Sequence, residues 1–413
     1  MKRSVSAKYK LALDGGQSAC KVNWPAWPAH DAAERDGLLS VLESGKWWYG
    51  EKVRRFEAEF AAFQGARFGV TATNGTTAIE MALRGLGVLE GDQVIVPPYT
   101  FIATASAVIT VGAIPVFADI LPDTLCLDPA DVERKITART KAIIPVHVAG
   151  YVADMDRLNA LAQRHHLRVL EDAAHSWGSR WKGQGTGTLG DCGTFSFQVS
   201  KNITAGEGGI MVTNDEALAD LCRSYTNCGR RKGGAWYDHD WLGSNLRLTE
   251  FQAAILLAQL ARLESQIARR QASADLLNDA LRALPGIRLL APEPRVTRRS
   301  YHIYIFRVDE AVLGRSRDEF LAALNAEGVP ASRGWYHPLY ANGVFRNATQ
   351  GPANGISAPL YGKGVDYTQV HCPVCEQVCR DAVWIPQHVL LADEPAMRSL
   401  AEAVRKIVRA WSK

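Results

Sequence analysis

The 413-residue sequence contains no apolar run long enough to cross a bilayer. It also contains no run of like charges, and its formal net charge is only +4. A nucleic-acid groove or a membrane-binding face needs concentrated basic or apolar side chains, so these absences argue against both kinds of partner. The first residues are basic but include neither the apolar segment nor the cleavage site of a secretory signal. We therefore expect a cytoplasmic protein.

Cysteine is present but dispersed, with eight residues spread along the chain. Such a distribution is typical of a reducing compartment, where thiols stay free. The one dense group is Cys372, Cys375 and Cys379, which follows His371. A C-x2-C pair beside a histidine can begin a zinc site, but a closed site needs four ligands and no second pair stands at a suitable spacing. We predict buried free thiols and no metal.

Short apolar segments alternate with helical patterns over the first two-thirds of the chain. Their length and β-branched content are typical of strands that are buried on both faces by helices. Seven strands are predicted, at residues 68–73, 93–98, 115–119, 141–147, 168–172, 194–197 and 209–213. The sequence therefore predicts an α/β fold with a mostly parallel seven-stranded sheet between helices.

The last third of the chain has a different pattern. A long amphipathic helix is predicted over about 248–273, followed by a strand at 301–308 and helices at 318–327 and 394–411. No internal repeat is present, which excludes a solenoid. The Gly-, Asn- and Pro-rich stretch 342–366 is predicted to be irregular. The predicted division is an N-terminal arm (1–30), a large domain (31–265) and a smaller α+β C-terminal domain (266–413).

Three segments at the predicted sheet edge carry candidate chemistry. Residues 73–77 (TNGTT) join a strand to a helix, where small residues admit an anion, although a simple cap explains them equally well. Glu171 and Asp172 end an apolar strand. An acid at this position either faces a ligand or caps the following helix. Lys201 lies between apolar strands, beside hydroxyls and before a glycine-rich turn. Taken singly, none of these segments decides between a functional and a structural role.

Longer motifs around these segments occur in a recognisable order. They are VH-x-AG-x-x-ADMD at 146–156, FSFQ-x-SK-x-x-T-x-GEGG at 195–209 and GSN-x-RL-x-EFQAA at 243–254. In this order they resemble the DegT/DnrJ/EryC1/StrS family of sugar and cyclitol aminotransferases, over nearly the whole chain. The resemblance implies a fold-type-I transferase that depends on pyridoxal 5'-phosphate.

The resemblance also implies roles for individual residues. Lys201 would form the Schiff base with the cofactor and then carry a proton between substrate and cofactor. Asp172 would pair with the pyridine nitrogen, which makes the ring an electron sink. His175, where a glutamine is more common, would contact the phenolic oxygen. Further implied contacts are Gly75, Thr76 and Ser196 with the phosphate, Phe101 with the ring face, and Asn245 with the phosphate of a neighbouring subunit.

The last of these contacts implies a homodimer with shared active sites. Tryptophan-rich segments at 24–28 and 45–48 resemble the branch of the family that acts on cyclitol ketones. We expect L-glutamine or L-glutamate as amino donor and, as acceptor, a keto-cyclitol such as scyllo-inosose, in aminocyclitol or other secondary-metabolite biosynthesis. A dehydratase like 3-amino-5-hydroxybenzoate synthase and a nucleotide-keto-sugar aminotransferase remain alternatives. Candidate substrate contacts are Trp47, Tyr336, His337 and Arg230.

Residues 185–190 form a G-x-G-x-x-G pattern, which is typical of dinucleotide-binding loops. It follows a polar turn, and no strand–helix–strand unit with a ribose-binding acid surrounds it. We therefore predict no dinucleotide site there.

Overall fold

The computed structural model describes residues 10–346 and 366–411. Its helices are α1 Ala32–Ser44, α2 Glu51–Gln64, α3 Gly75–Gly85, α4 Ala103–Thr110, α5 Pro129–Lys135, α6 Met155–His165, α7 Glu216–Thr226, α8 Glu250–Leu281, α9 Glu310–Leu313, α10 Arg317–Ala326, α11 Gly343–Arg346, α12 Pro373–Asp381 and α13 Glu394–Trp411. Its strands are β1 Phe68–Ala72, β2 Gln93–Val96, β3 Ile114–Phe117, β4 Thr140–Ile143, β5 Arg168–Asp172, β6 Arg180–Trp181, β7 Gln184–Gly185, β8 Cys192–Ser196, β9 Gly209–Thr213, β10 Ile287–Leu289, β11 Val296–Arg298, β12 Ile303–Val308 and β13 Ala382–Pro386.

The central sheet has seven strands in the order β1-β9-β8-β5-β4-β2-β3. The five strands from β8 to β3 pair in parallel, whereas β9 pairs antiparallel with both β1 and β8. The predicted mostly parallel seven-stranded sheet is therefore confirmed. Because β1 and β8 both run against β9, the carboxyl ends of β1, β2, β5 and β8 meet at one edge of the sheet.

Helix α8 spans the predicted boundary between the two domains. It begins after Thr249, whose side chain forms a capping box with Gln252, and it ends at Leu281 rather than near residue 273. Its first half packs in the core that contains Phe195 and Phe197. Its last turns, with Leu277 and Leu281, pack in the C-terminal core. The division at residue 265 stays a prediction, because one continuous helix contributes to both cores.

The N-terminal arm is attached to the C-terminal core through a buried ion pair. The ammonium of Lys406 lies 2.8 and 2.9 Å from the two carboxylate oxygens of Glu327. Two backbone amides of the arm, those of Ala12 and Ala19, donate to the same carboxylate at 2.8 Å each. Further along the arm, the Trp27 indole donates to a carbonyl in the β8–β9 connection. The arm thus links the C-terminal core to the loop that contains Lys201.

The cysteine group lies in and beside α12. Cys372, Cys375 and Cys379 are buried, and the sulfur atoms of the last two are 4.0 Å apart. The His371 side chain, by contrast, is 77% exposed. Within the described ranges, no cluster of three or more His, Cys, Asp or Glu side chains is arranged to hold a metal ion. The cysteines therefore serve as small apolar core residues.

The described residues also bear on two further predictions, the absence of a membrane span and the irregular stretch. Among residues 10–346 and 366–411, no helix combines the length and apolarity that a membrane span requires. Most of the stretch predicted to be irregular, residues 347–365, lies outside the described residues.

The ion pair under the arm yields a stability prediction. Lys406→Met leaves the Glu327 carboxylate buried without a cation, and we expect the free energy of unfolding to fall by about 3–5 kcal/mol. Urea denaturation followed by circular dichroism measures this loss. Arg398→Met is the matched control on the same helix, because its partner Glu394 is exposed and such pairs contribute less than about 1 kcal/mol. Equal small losses in the two variants would contradict the proposed importance of the buried pair.

Candidate active site

A cavity of about 800 Å³ opens where the carboxyl ends of the strands meet. It lies outside the carboxyl edge of the parallel strands, which is where open α/β sheets bind ligands. The structure brings seven of the predicted cofactor-binding residues to its wall. They are Gly75, Thr76, Phe101, Asp172, His175, Ser196 and Lys201.

The amino end of α3 forms one wall of this cavity. The Asn74 side chain caps the helix by accepting from the Thr77 amide at 2.9 Å. The amides of Gly75 and Thr76 lie outside these cap bonds, as first-turn amides of a helix do. A Cβ at Gly75 would lie 2.8 Å from the Cβ of Ser196. Glycine thus lets the Ser196 hydroxyl approach the helix dipole, and together they form a cradle for an anion such as a phosphate.

Asp172 ends strand β5 and is buried in the cavity floor. Its Oδ2 accepts from the Thr104 hydroxyl at 2.7 Å, and its Oδ1 accepts from the Ala174 amide at 3.2 Å. Burial raises the pKa of the carboxyl, although these hydrogen bonds and the charge of Lys201 oppose the rise. A positive ligand atom beside the carboxylate would reverse this shift, because an opposite charge favours the ionised form.

Lys201 lies in the β8–β9 connection and is partly buried. Burial lowers the pKa of its ammonium from 10.5 to about 8, and the Asp172 carboxylate opposes this shift. The Nζ atom stands 5.9 Å from the centre of the Trp177 ring. Near neutral pH a larger fraction of this amine is therefore unprotonated than in an ordinary lysine, as suits a nucleophile or a general base.

A backbone hydrogen bond indicates which ring nitrogen of His175 carries the proton. The amide of Ala149, a residue with φ of 57°, donates to His175 Nδ1 at 3.4 Å. Burial and the charge of Lys201 hold the pKa of the imidazole well below its usual range. A neutral ring that accepts at Nδ1 carries its proton on Nε2. His175 therefore presents an N–H donor toward the cavity.

Known proteins resemble this chain in sequence and in fold. Residues 28–405 match the DegT/DnrJ/EryC1/StrS aminotransferase family. The chain belongs to this family. This assignment confirms the resemblance drawn from the sequence motifs, and the protein is an aminotransferase.

Two relatives and one crystal structure show which members of the family the chain resembles. A putative L-glutamine:3-amino-2,3-dideoxy-scyllo-inosose aminotransferase of Micromonospora echinospora is 40% identical, over 96% of this chain and 97% of that protein. The 3-amino-5-hydroxybenzoate synthase of Amycolatopsis mediterranei is 39% identical, over 93% of this chain and 97% of its own length. A crystal structure of 3-amino-5-hydroxybenzoic acid synthase superposes with a TM-score of 0.85 at 39% identity, covering 94% of this chain and 99% of that one.

In this aminotransferase, Glu171 has a structural role that the sequence did not reveal. Its buried carboxylate accepts from His147 Nε2 at 2.8 Å and from the amides of Gly187, Leu189 and Gly190 at 2.7, 2.7 and 2.8 Å. Three amides of the G-x-G-x-x-G loop thus bond within the fold and are unavailable to a pyrophosphate. Glu171 anchors this loop beneath the strand that presents Asp172.

One wall of the cavity contains aromatic residues that no sequence motif indicated. Trp335 stacks on His175 with ring centres 5.8 Å apart, and Trp384 and His302 complete this wall. The expected substrate contacts Tyr336 and His337 lie outside it and line a separate cavity of about 590 Å³. Trp335 directly precedes Tyr336 and His337 in the sequence, and only the backbone path decides which of these three adjacent rings faces inward.

The other predicted substrate or phosphate contacts also lie outside the cavity of their own chain. Trp47 packs on Phe251 at the surface and is half-exposed. The Arg230 guanidinium lies over the Trp236 ring in an exposed loop. Asn245 is exposed and forms a β-bridge to Asn227. The roles of Trp47, Arg230 and Asn245 therefore remain predictions. Each residue would have to contribute to the active site of a second subunit, or contact the substrate outside the cavity.

The lowered pKa of Lys201 gives a direct test. In the protein without bound ligands, the uncharged amine forms at lower pH than in an ordinary lysine, so we expect acetylation of Lys201 to rise with a midpoint near pH 8. Asp172→Asn removes the charge that opposes the shift and should move this midpoint lower still. Pulse acetylation followed by peptide mass spectrometry measures both, with exposed Lys21 as internal reference. A midpoint above pH 10 would contradict the assignment.

Proposed function

We propose that this aminotransferase uses pyridoxal 5'-phosphate to transfer an amino group from L-glutamine or L-glutamate to a keto-cyclitol such as scyllo-inosose. The supporting observation is that a partly buried lysine of lowered pKa, Lys201, shares one cavity with Asp172 and the α3 anion cradle. The scyllo-inosose substrate class rests on the relative that is 40% identical over nearly the full length of both chains. The aminocyclitol pathway and a cytoplasmic location belong to the same proposal.

The cavity residues suit this cofactor. Gly75, Thr76 and Ser196 would hold its phosphate, because they supply two amides and a hydroxyl at a helix amino end. Asp172 would pair with the protonated ring nitrogen, and Phe101 would cover the ring face. Bound there, the cofactor would supply an electron-withdrawing ring that stabilises negative charge on the substrate carbon.

The remaining chemistry belongs to side chains of this chain. Lys201 would hold the cofactor covalently until the amino donor displaces it. The released amine at Nζ would then take a proton from the α carbon of the donor and deliver it to the cofactor. The keto substrate would use the same atom in the reverse direction. His175 would donate from Nε2 to the phenolic oxygen, and Trp335 would help to exclude water.

The lining of the cavity favours an uncharged acceptor. Among the described residues that line it, the only charged side chains are Asp172, Lys201 and Glu207. A nucleotide diphosphate needs cations such as arginine, which pairs with phosphate in a bidentate manner. Aromatic walls instead suit the flat faces of a six-membered ring. The exposed position of Asn245 agrees with the proposed homodimer, in which it would reach the phosphate bound to the partner subunit.

The second candidate function is that of 3-amino-5-hydroxybenzoate synthase. It is supported by 39% identity over 93% of the chain and by the TM-score of 0.85. The same lysine would then assist loss of water and aromatisation of the ring.

Cofactor binding can be tested independently of turnover. Borohydride treatment of protein loaded with pyridoxal 5'-phosphate should attach a stable label to Lys201, and Lys201→Ala should abolish that label in peptide mass spectra. Gly75→Ala places a methyl group 2.8 Å from Ser196 Cβ, and loss of one phosphate contact should weaken binding about 10-fold or more. Gly37→Ala is the control, because its Cβ meets its nearest neighbour at an ordinary 3.5 Å. A label on another lysine would refute the site.

The reaction can be tested with defined substrates. With L-glutamine and scyllo-inosose, we expect an aminated cyclitol and the keto acid of glutamine in equal amounts, measured by mass spectrometry. Exchange of scyllo-inosose for a nucleotide keto-sugar should reduce turnover, because no arginine, and no lysine besides Lys201, is among the described residues that line the cavity. Formation of an ultraviolet-absorbing aromatic product from an amino-cyclohexenone acid would instead support the second candidate.

A further inference from the structure

A second buried histidine, His302, lines the active-site cavity without a part in cofactor binding or in proton transfer by Lys201. It lies directly before strand β12. Its ring centre is 4.3 Å from that of His175 and 5.4 Å from that of Trp177. The side chain is therefore fixed on the aromatic side of the cavity, away from the anion cradle.

Asn202 determines which nitrogen of His302 carries the proton. The Asn202 amide nitrogen donates to the Ser300 carbonyl at 3.0 Å, so its oxygen is the atom that faces His302. That oxygen lies 2.9 Å from His302 Nδ1 and can only accept. Nδ1 must therefore be the protonated nitrogen. In a neutral ring, Nε2 then carries a lone pair and no proton.

The surroundings keep His302 neutral. The positive groups that face it are Lys201 from the β8–β9 connection and Arg270 from α8, and the imidazole of His175 packs against it. Together with burial, the two cations hold the pKa of His302 well below its usual range. Within the described parts of the chain, its Nε2 has no hydrogen-bond partner, and His302 is one of the residues that line the cavity. It therefore opens to the cavity as an acceptor.

The neighbours of this acceptor indicate what it binds. Trp335, Trp384 and Ile303 line the same side of the cavity and offer mainly ring and aliphatic surface. The Trp384 indole N–H is already bonded to the Tyr99 hydroxyl at 3.0 Å. One acceptor in an aromatic wall suits a ligand that presents an apolar ring face and a hydroxyl donor.

We propose that His302 Nε2 accepts a hydrogen bond from a ring hydroxyl of the keto substrate and thereby contributes to selection of polyhydroxylated rings. This assignment rests on the proposed function, since it presupposes such a substrate. His302 would act on substrate recognition, while Lys201 carries the proton.

Kinetics of the loaded enzyme test the assignment. His302→Phe keeps an aromatic ring but removes the acceptor, and we expect kcat/KM for the keto-cyclitol to fall about 2- to 10-fold, as for loss of one neutral hydrogen bond. The value for L-glutamine should change less than 2-fold. His302→Gln, which places an amide oxygen near the Nε2 position, should recover part of the loss. His165→Phe is a matched control at an exposed position outside the cavity.

Singly deoxygenated keto-cyclitols identify the hydroxyl. For one ring position, removal of the hydroxyl should cost the wild type about 2- to 10-fold in kcat/KM and cost His302→Phe nothing. If every position costs both enzymes equally, the assignment is overturned. An equal loss for donor and acceptor in His302→Phe would also overturn it, because that result indicates a general structural role.

A spectroscopic measurement separates this assignment from the proposed function. Nitrogen NMR of the holoenzyme labelled in histidine should show His302 protonated at Nδ1 only, identified as the signal absent from His302→Phe. A proton on Nε2 would overturn the assignment even if turnover is normal. Absence of turnover with every keto-cyclitol would refute the proposed function and this role together, whereas turnover without hydroxyl coupling would refute only the role of His302.

Discussion

The structure depends on placing an amine and a carboxylate together where water is largely excluded. Asp172 is buried and Lys201 is partly buried in one cavity, and burial disfavours the charged form of each. Each charge in turn stabilises the other. The parallel sheet permits this arrangement, because the end of β5 and the loop after β8 meet at one edge. There, one hydroxyl and one backbone amide donate to the carboxylate. The site is therefore organised by the fold before any ligand binds.

The same edge requires unusually close approach of chain segments. A Cβ at Gly209, the first residue of β9, would lie 2.2 Å from the Asn74 carbonyl oxygen. A Cβ at Gly75 would meet Ser196. Two glycines therefore allow β9, the amino end of α3 and the end of β8 to converge. This convergence brings amides and a hydroxyl within reach of one anion, and the turn that presents Lys201 is held between β8 and β9.

Sequence patterns predicted the sheet well because most residues of the central strands are buried, and most of these strands are short segments rich in apolar or β-branched residues. The motifs also located Lys201 and Asp172, since both stand at fixed places relative to strands. The aromatic wall was less accessible to prediction. Gly334 adopts φ of 57° and packs so closely on Trp384 that the next ring, Trp335, turns inward while Tyr336 stays half-exposed. Such a choice among adjacent aromatic residues depends on long-range packing, which no local pattern encodes. His302 was missed for the same reason.

The protonation pattern of the cavity bears on the choice between transamination and dehydration. Loss of water from a ring needs a group that gives a proton to the departing hydroxyl. With its proton held on Nδ1 by Asn202, His302 directs a lone pair toward the cavity and has no proton to give on that side. Among the described residues that line the cavity, that proton would then have to come from Lys201, His175 or Glu207. Transamination needs one proton to move between the substrate carbon and the cofactor, which a single amine can reach. The partly buried, partly neutral Lys201 is thus better matched to amino-group transfer, and an acceptor at His302 retains ring hydroxyls rather than expelling them.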